Sequence, residues 1–181
     1  MKKWIIILVT LIFLIGCNDK PDRDELLLEK YKAAYNDLVS NDKFETSSSF
    51  FDIDLAVNKI ENNKFRVDAI IDSPTIAMYK VEVIAELDSK GVEQFEEVVP
   101  SLGIVDQANY NLIPFQVNKA EGFYAGLVVS GVSDKSQGEI ILKITWTDYA
   151  ETKSYEEYLK LAYDIEPEVE EVEEETESDD E

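Results

Sequence analysis

The sequence predicts an all-β fold: an antiparallel β-sandwich preceded by one short α-helix. Three observations carry this expectation. Between positions 50 and 165, apolar residues alternate with polar ones in short runs, the two-residue period of a half-buried strand. Gly, Pro, Asn, Asp and Ser fill the gaps between the runs, as turns require. One stretch alone, ahead of position 41, follows the helical period instead.

Residues 24–40 form that stretch and read as an amphipathic helix. Leu27, Tyr31, Ala34 and Leu38 recur at spacings of four, three and four, and Leu28, Tyr35 and Val39 widen the stripe. Asp22 or Asp24 can cap the start, and Glu25 lies near the positive end of the helix dipole. Ser40 and Asn41 end the pattern. Such a stripe suits a helix packed on its own domain or raising that domain from a surface; a docking helix for a partner is the alternative.

Residues 41–49 read as a polar linker with three serines in a row (Ser47, Ser48, Ser49). Residues 50–165 are the expected sandwich domain. Ile53, Leu55 and Val57 share one strand face, and Glu61-Asn62-Asn63-Lys64 makes a turn. Phe65, Val67, Ala69 and Ile71 alternate with Arg66, Asp68 and Asp72 until Ser73-Pro74 breaks the run. Tyr79, Val81, Val83, Ala85 and Leu87 form the next inward face, ending at the turn Asp88-Ser89-Lys90-Gly91. Residues 95–99 suit a short strand stopped by Pro100, and 102–105 a weaker one. Pro114 places 111–117 at a sheet edge, because proline cannot donate to a ladder. Residues 123–129, apolar on both faces, suit a central strand; 133–138 is a loop. Ile140, Leu142, Ile144 and Trp146 face one way, residues 148–154 turn the chain, and Tyr155, Leu159, Leu161 and Tyr163 share a face of the last strand.

This layout of short antiparallel strands resembles the immunoglobulin and fibronectin type III architecture. The resemblance is one of layout: the antibody cysteine pair is absent, and a small closed barrel is the alternative.

The N-terminus predicts where the domain is held. Lys2 and Lys3 precede an apolar run from Trp4 to Ile15, shorter than the roughly 20 residues of a spanning helix but suited to a secretory signal. It closes on Leu14-Ile15-Gly16-Cys17, which resembles the lipobox of bacterial lipoproteins. That resemblance implies a signal peptide over 1–16 and acylation of the Cys17 thiol. The mature chain would begin at Cys17, with 17–23 as a tether. Its expected address is the cell membrane, lipid-anchored and facing away from the cytoplasm. Two acyl chains anchor stably where one does not, each buried CH₂ contributing about 0.8 kcal/mol.

Composition narrows the chemistry. Net charge is −22, and about −24 once the signal lysines are removed. A surface this acidic repels nucleic acid and anionic lipid headgroups. With its single cysteine acylated, the chain has no thiol for a disulfide, metal site or nucleophile. It has no histidine, which removes Ser-His-Asp and Cys-His arrangements and the usual zinc sets. No catalytic residue, metal site or cofactor is therefore expected.

Residues 166–181 carry eleven carboxylates and no lysine or arginine. A run of that kind cannot bury enough surface to offset its ordering entropy, so a disordered acidic brush is expected. Cation capture there would need a shaped oxygen cage, which the run does not encode. Asp52 and Asp54 stand on one strand face, as a carboxylate pair for acid–base work would, though an acidic surface makes such pairs by chance. Trp146, Tyr149, Tyr155, Tyr158 and Tyr163 cluster at the last hairpin. Aromatic groups of this kind can stack on sugars or on partner side chains. Trp146 continues a core face, so Tyr149 and Tyr158 are the candidates for exposure and binding; cross-strand tyrosines that only stabilise the sheet are the alternative. Gly122, Gly126 and Gly131 lack phosphate-loop spacing. The expectation is a non-enzymatic surface lipoprotein engaging an envelope or secreted protein. A small-ligand or glycan-binding module serving a transporter or enzyme is the alternative.

Overall fold

The computed structural model describes residues 22–88, 99–106 and 108–165. The signal, Cys17, most of the tether, most of the 95–99 strand and the acidic tail lie outside these residues.

Helix α1 spans Arg23–Ser40, one residue earlier than its expected start. The Asp22 side chain makes no cap; its carbonyl instead accepts the Leu26 amide at 3.0 Å. Among the described residues nine strands follow: β1 (Asp52–Lys59), β2 (Phe65–Asp72), β3 (Tyr79–Leu87), β4 (Ser101–Leu102), β5 (Asn111–Leu112), β6 (Phe123–Tyr124), β7 (Gly126–Ser133), β8 (Gln137–Thr147) and β9 (Ser154–Asp164). They build a three-stranded sheet in the order β1-β2-β7, a four-stranded sheet β4-β3-β8-β9 and a two-stranded pair β5-β6. The two larger sheets are antiparallel throughout, and β5-β6 is parallel. The described residues are therefore mostly β with one α-helix, as the periodicity predicts.

One apolar core joins the two larger sheets. Val67, Ala69 and Ile71 from β2 and Leu127 and Val129 from β7 meet Val81, Val83 and Ala85 from β3 and Ile140, Leu142, Ile144 and Trp146 from β8. These are the inward positions of the alternation, since a pleated strand sends successive side chains to opposite faces. The opposite face of the four-stranded sheet is also covered. Tyr31, Tyr35 and Leu38 of α1 pack on Ile84, Ile104 and Ile141 as a second, smaller core. Leu28, expected to widen the stripe, instead faces away from the sheet and is exposed, as is Leu26.

Several expectations change. The 123–129 strand is not central. It divides into β6 and β7, and β7 is an edge of its sheet with β2 in the middle. Its outer face is open, with Val128 and Val132 exposed, so two-sided apolarity here does not mean two-sided burial. The 102–105 strand shrinks to Ser101–Leu102, because Gly103 takes a left-handed φ of 75° and turns the chain. The 111–117 strand stops at Leu112, ahead of Pro114. Ser133, Gln137 and Gly138 join β7 and β8, which shortens the 133–138 loop. The 41–49 linker is not free: the Glu45 amide donates to the Tyr158 carbonyl and its carbonyl accepts the Lys160 amide, both at 2.9 Å, bridging the edge of β9.

Candidate functional site

One end of the two sheets carries the most exposed apolar side chains. Pairing of Asp52 with Asp72 and of Asp72 with Gly126 places those strand ends together. The short β2–β3 connection brings the Tyr79, Thr147 and Ser154 ends of the other sheet to the same side. Above them stands the turn Ile113-Pro114-Phe115-Gln116, closed by the Gln116 amide donating to the Ile113 carbonyl at 3.1 Å.

Its backbone is unusual. Pro114 holds the second position, where its fixed φ is favourable. Phe115 holds the third with a φ of 62°, as in a type II turn, where glycine is the unstrained residue. A bulky residue held there costs on the order of 1–2 kcal/mol. Packing does not offset that cost, because the Phe115 ring is fully exposed. Val117 is 59% exposed beside it. Together with Asp72, Pro74 and Ala125 the turn lines an open cleft of about 400 Å³. Strain of this kind, with no local packing gain, makes the turn a candidate functional surface.

Tyr149 joins this end. It is 82% exposed and packs edge-on against Tyr79 with ring centroids 5.4 Å apart. Its loop is stiff: the Asp148 carboxylate accepts the Thr152 amide at 2.7 Å, the Thr152 hydroxyl at 2.6 Å and the Lys153 amide at 3.1 Å. Those bonds, led by the Thr152 hydroxyl, hold the Asp148 carboxyl below the usual carboxylate range.

The other expected binding residue, Tyr158, lies elsewhere. It is half-buried under α1, where its hydroxyl donates to Asp37 at 2.7 Å. Lys143 reaches the same Asp37 carboxylate and sits 5.3 Å from the Tyr158 ring centre. Burial alone would pull the Lys143 ammonium down, but hydrogen bonds with Asp37, Tyr158 and Glu156 raise it above the ordinary lysine value. The Lys143 bond in turn lowers Asp37, helped by Tyr158. Tyr158 thus fastens the helix to the sheet and is removed from the set of exposed binding residues. Trp146 is core as expected, stacked at 10° on Tyr155 with centroids 5.4 Å apart. Tyr163 is buried and donates to Asp88 at 2.9 Å. The hairpin aromatics therefore form no single platform; Tyr149 alone of them is fully presented.

A second surface is the outer edge of β7, which pairs with β2 alone among the described residues. The two larger sheets have four edges. β1 carries Asp52, Asp54 and Lys59, and β9 carries Glu156, Lys160 and Asp164 and is bridged by Glu45. β4 is two residues long. Charge, cover and brevity are the ordinary protections of an edge. Among the described residues β7 shows none of them: its eight residues contain no charged side chain, and no strand pairs with its outer side.

Asp52 and Asp54 are exposed on β1 opposite Asp72 and Ile70. Among the described residues no three carboxylates are grouped so as to hold a metal ion, and no helix is long and apolar enough to cross a membrane. The Phe115 turn and the β7 edge were missed by sequence reading. Proline followed by a non-glycine in a turn context, and an uncharged run in an acidic chain, were the available signals. No family model matches this chain, and no curated protein or solved structure is significantly similar to it.

Proposed function

We propose that this protein is a non-enzymatic bacterial surface lipoprotein, held on the membrane by acyl chains on Cys17 and presenting its β-domain to another envelope or secreted protein. The finer fold belongs to the same reading: a sandwich of the immunoglobulin and fibronectin type III kind. It is supported by a three-on-four division of the main strands, with the chain changing sheets between β2 and β3, between β4 and β7, and between β7 and β8. The lipobox, the placement of the single cysteine and the charge of the N-terminus support the anchor.

The observation that carries partner binding is the unguarded β7 edge. An uncharged strand with free backbone groups is a template for an extended segment of another chain. Main-chain hydrogen bonds supply affinity in that mode, and alternate side chains supply specificity. Val128 and Val132 would form the outer row that such a segment covers.

The test is site-specific photo-crosslinking in cells from position 130, with fatty-acid labelling of the same protein. The expected result is one stoichiometric crosslinked partner that disappears in the double variant Val128→Lys, Val132→Lys and persists in Asp54→Lys on the guarded edge. A lysine-guarded edge that still crosslinks, or no crosslink from position 130, defeats the partner reading. Loss of the label in Cys17→Ala is expected; a label that persists defeats the anchor.

A further inference from the structure

We infer that the Phe115 turn rests on the lipid surface, so that the anchored end of the domain meets the bilayer through protein as well as through acyl chains. The inference deepens the lipoprotein reading and depends on it.

Three observations converge. The first is reach. The start of α1 lies beside the segment that leads to the turn: Leu27 lines a cavity of about 210 Å³ together with Lys80, Val81, Ala108 and Asn109. From there the chain follows β3, with the Val81 amide donating to Tyr110 at 2.7 Å and Leu112 exchanging hydrogen bonds with Met78. Phe115 comes three residues later. Cys17 precedes Asp22 by five residues, a tether of at most about 18 Å. The acyl chains cannot lie far from this end of the domain, and a helix fixed to the sheet gives the connection no further slack.

The second is charge. In a chain with 39 acidic residues, positions 107–120 contain none, and Lys119 is their only charged group. The turn itself is neutral, while Asp72 lines the cleft behind it and Asp52 and Asp148 stand on the neighbouring strand end and loop, so the surface around it still repels anionic headgroups.

The third is side-chain chemistry. Ile113, Pro114, Phe115 and Val117 are apolar, and Tyr149 on the neighbouring loop presents an aromatic ring with a polar tip. Aromatic rings of that sort favour the membrane–water boundary. A protein partner pocket could also take Phe115. Reach and the uncharged turn favour the lipid, because the tether already holds this end against it.

The experiment uses the full lipidated chain in vesicles of phosphatidylcholine, with and without bromine on the acyl chains. Phe115→Trp reports on the turn, and Ile60→Trp on the β1–β2 turn at the opposite end; buried Trp146 is common to both. The expected result is a blue shift and strong bromine quenching for position 115, and neither for position 60. Replacing half of the lipid with phosphatidylglycerol at low salt should weaken the quenching, and added salt should restore it. Amide exchange over 113–118 in the unsubstituted protein should slow on vesicles relative to detergent, a readout free of folding defects. If the protein is acylated and floats with vesicles while position 115 stays unquenched, the inference is wrong and the anchor stands. Equal quenching at both positions, or a blue shift that bromine does not affect, also overturns it. If the protein is not acylated and does not float, the anchor itself has failed.

Discussion

The four-stranded sheet is packed on both faces, but by different materials. Its inner face meets the three-stranded sheet through aliphatic side chains, with Ile140, Leu142, Ile144 and Val67 fully buried. Its outer face meets α1 through three buried residues, Tyr31, Tyr35 and Leu38, flanked by Ala34 and Val39 and set among polar contacts. The Tyr35 hydroxyl donates to Glu86 at 3.2 Å, and the Val99 amide donates to the Tyr31 hydroxyl at 2.6 Å. Lys30 pairs with Glu82, and Lys143 with Asp37. Burial of Tyr35 and its bond to buried Glu86 push its phenol up to about 12. Dry packing is non-directional and opens only as a whole. A seam of named hydrogen bonds can loosen in parts, which makes it the lower-stability unit of the two.

The largest test of this contrast is Leu142→Ala. It should cost about 3 kcal/mol in urea unfolding and destabilise every probe together. Leu38→Ala removes the same group from the helix seam. It should cost about 2 kcal/mol, with amide exchange in α1 accelerating well ahead of that in β8. If both variants accelerated all amides equally, the two faces would form one cooperative unit and the contrast would be gone. Tyr35→Phe leaves the buried Glu86 carboxylate without its phenol donor and should cost about 1–2 kcal/mol, again seen first in α1.

The smallest effect sharpens the contrast through pH. The folded-state pKa of Asp37 is depressed, so its contribution is present above the ordinary carboxylate value and is lost as pH falls through the lower folded value. Asp37→Asn should therefore cost under about 1 kcal/mol at neutral pH, because the carboxylate is half-exposed and its ion pair is screened. The difference from the parent protein should vanish in strong acid. A difference that persisted there would mean that shape, rather than charge, holds the seam.

Much of this fold is legible in the sequence. The alternations at 65–71, 79–87, 140–146 and 155–163 place β2, β3, β8 and β9 because each has a face to bury. The helix stripe is legible for the same reason. Sheet order is not: Gly126–Ser133 is apolar enough for a centre, and only its pairing with β2 alone makes it an edge. Tyr158 reads as exposed because a strand pattern cannot announce that a helix will cover it. The Phe115 turn is hidden by its own residue choice, since phenylalanine stands where turn rules expect glycine. Tyr149, on a loop rich in turn formers, is the part of the candidate surface that sequence reading reached.

The helix seam has a mechanical consequence. Any load between the lipid and a bound partner enters the domain through Arg23 and must cross α1 before it reaches the sheets. The polar seam would peel one contact at a time, whereas the ladders between β8 and β9 share tension along eleven residue pairs. Stretched between Cys17 and position 130 in a force ramp, the molecule should yield a small early extension as α1 detaches, then a single abrupt rupture. One simultaneous rupture would mean that the helix is no weaker than the sheets it covers.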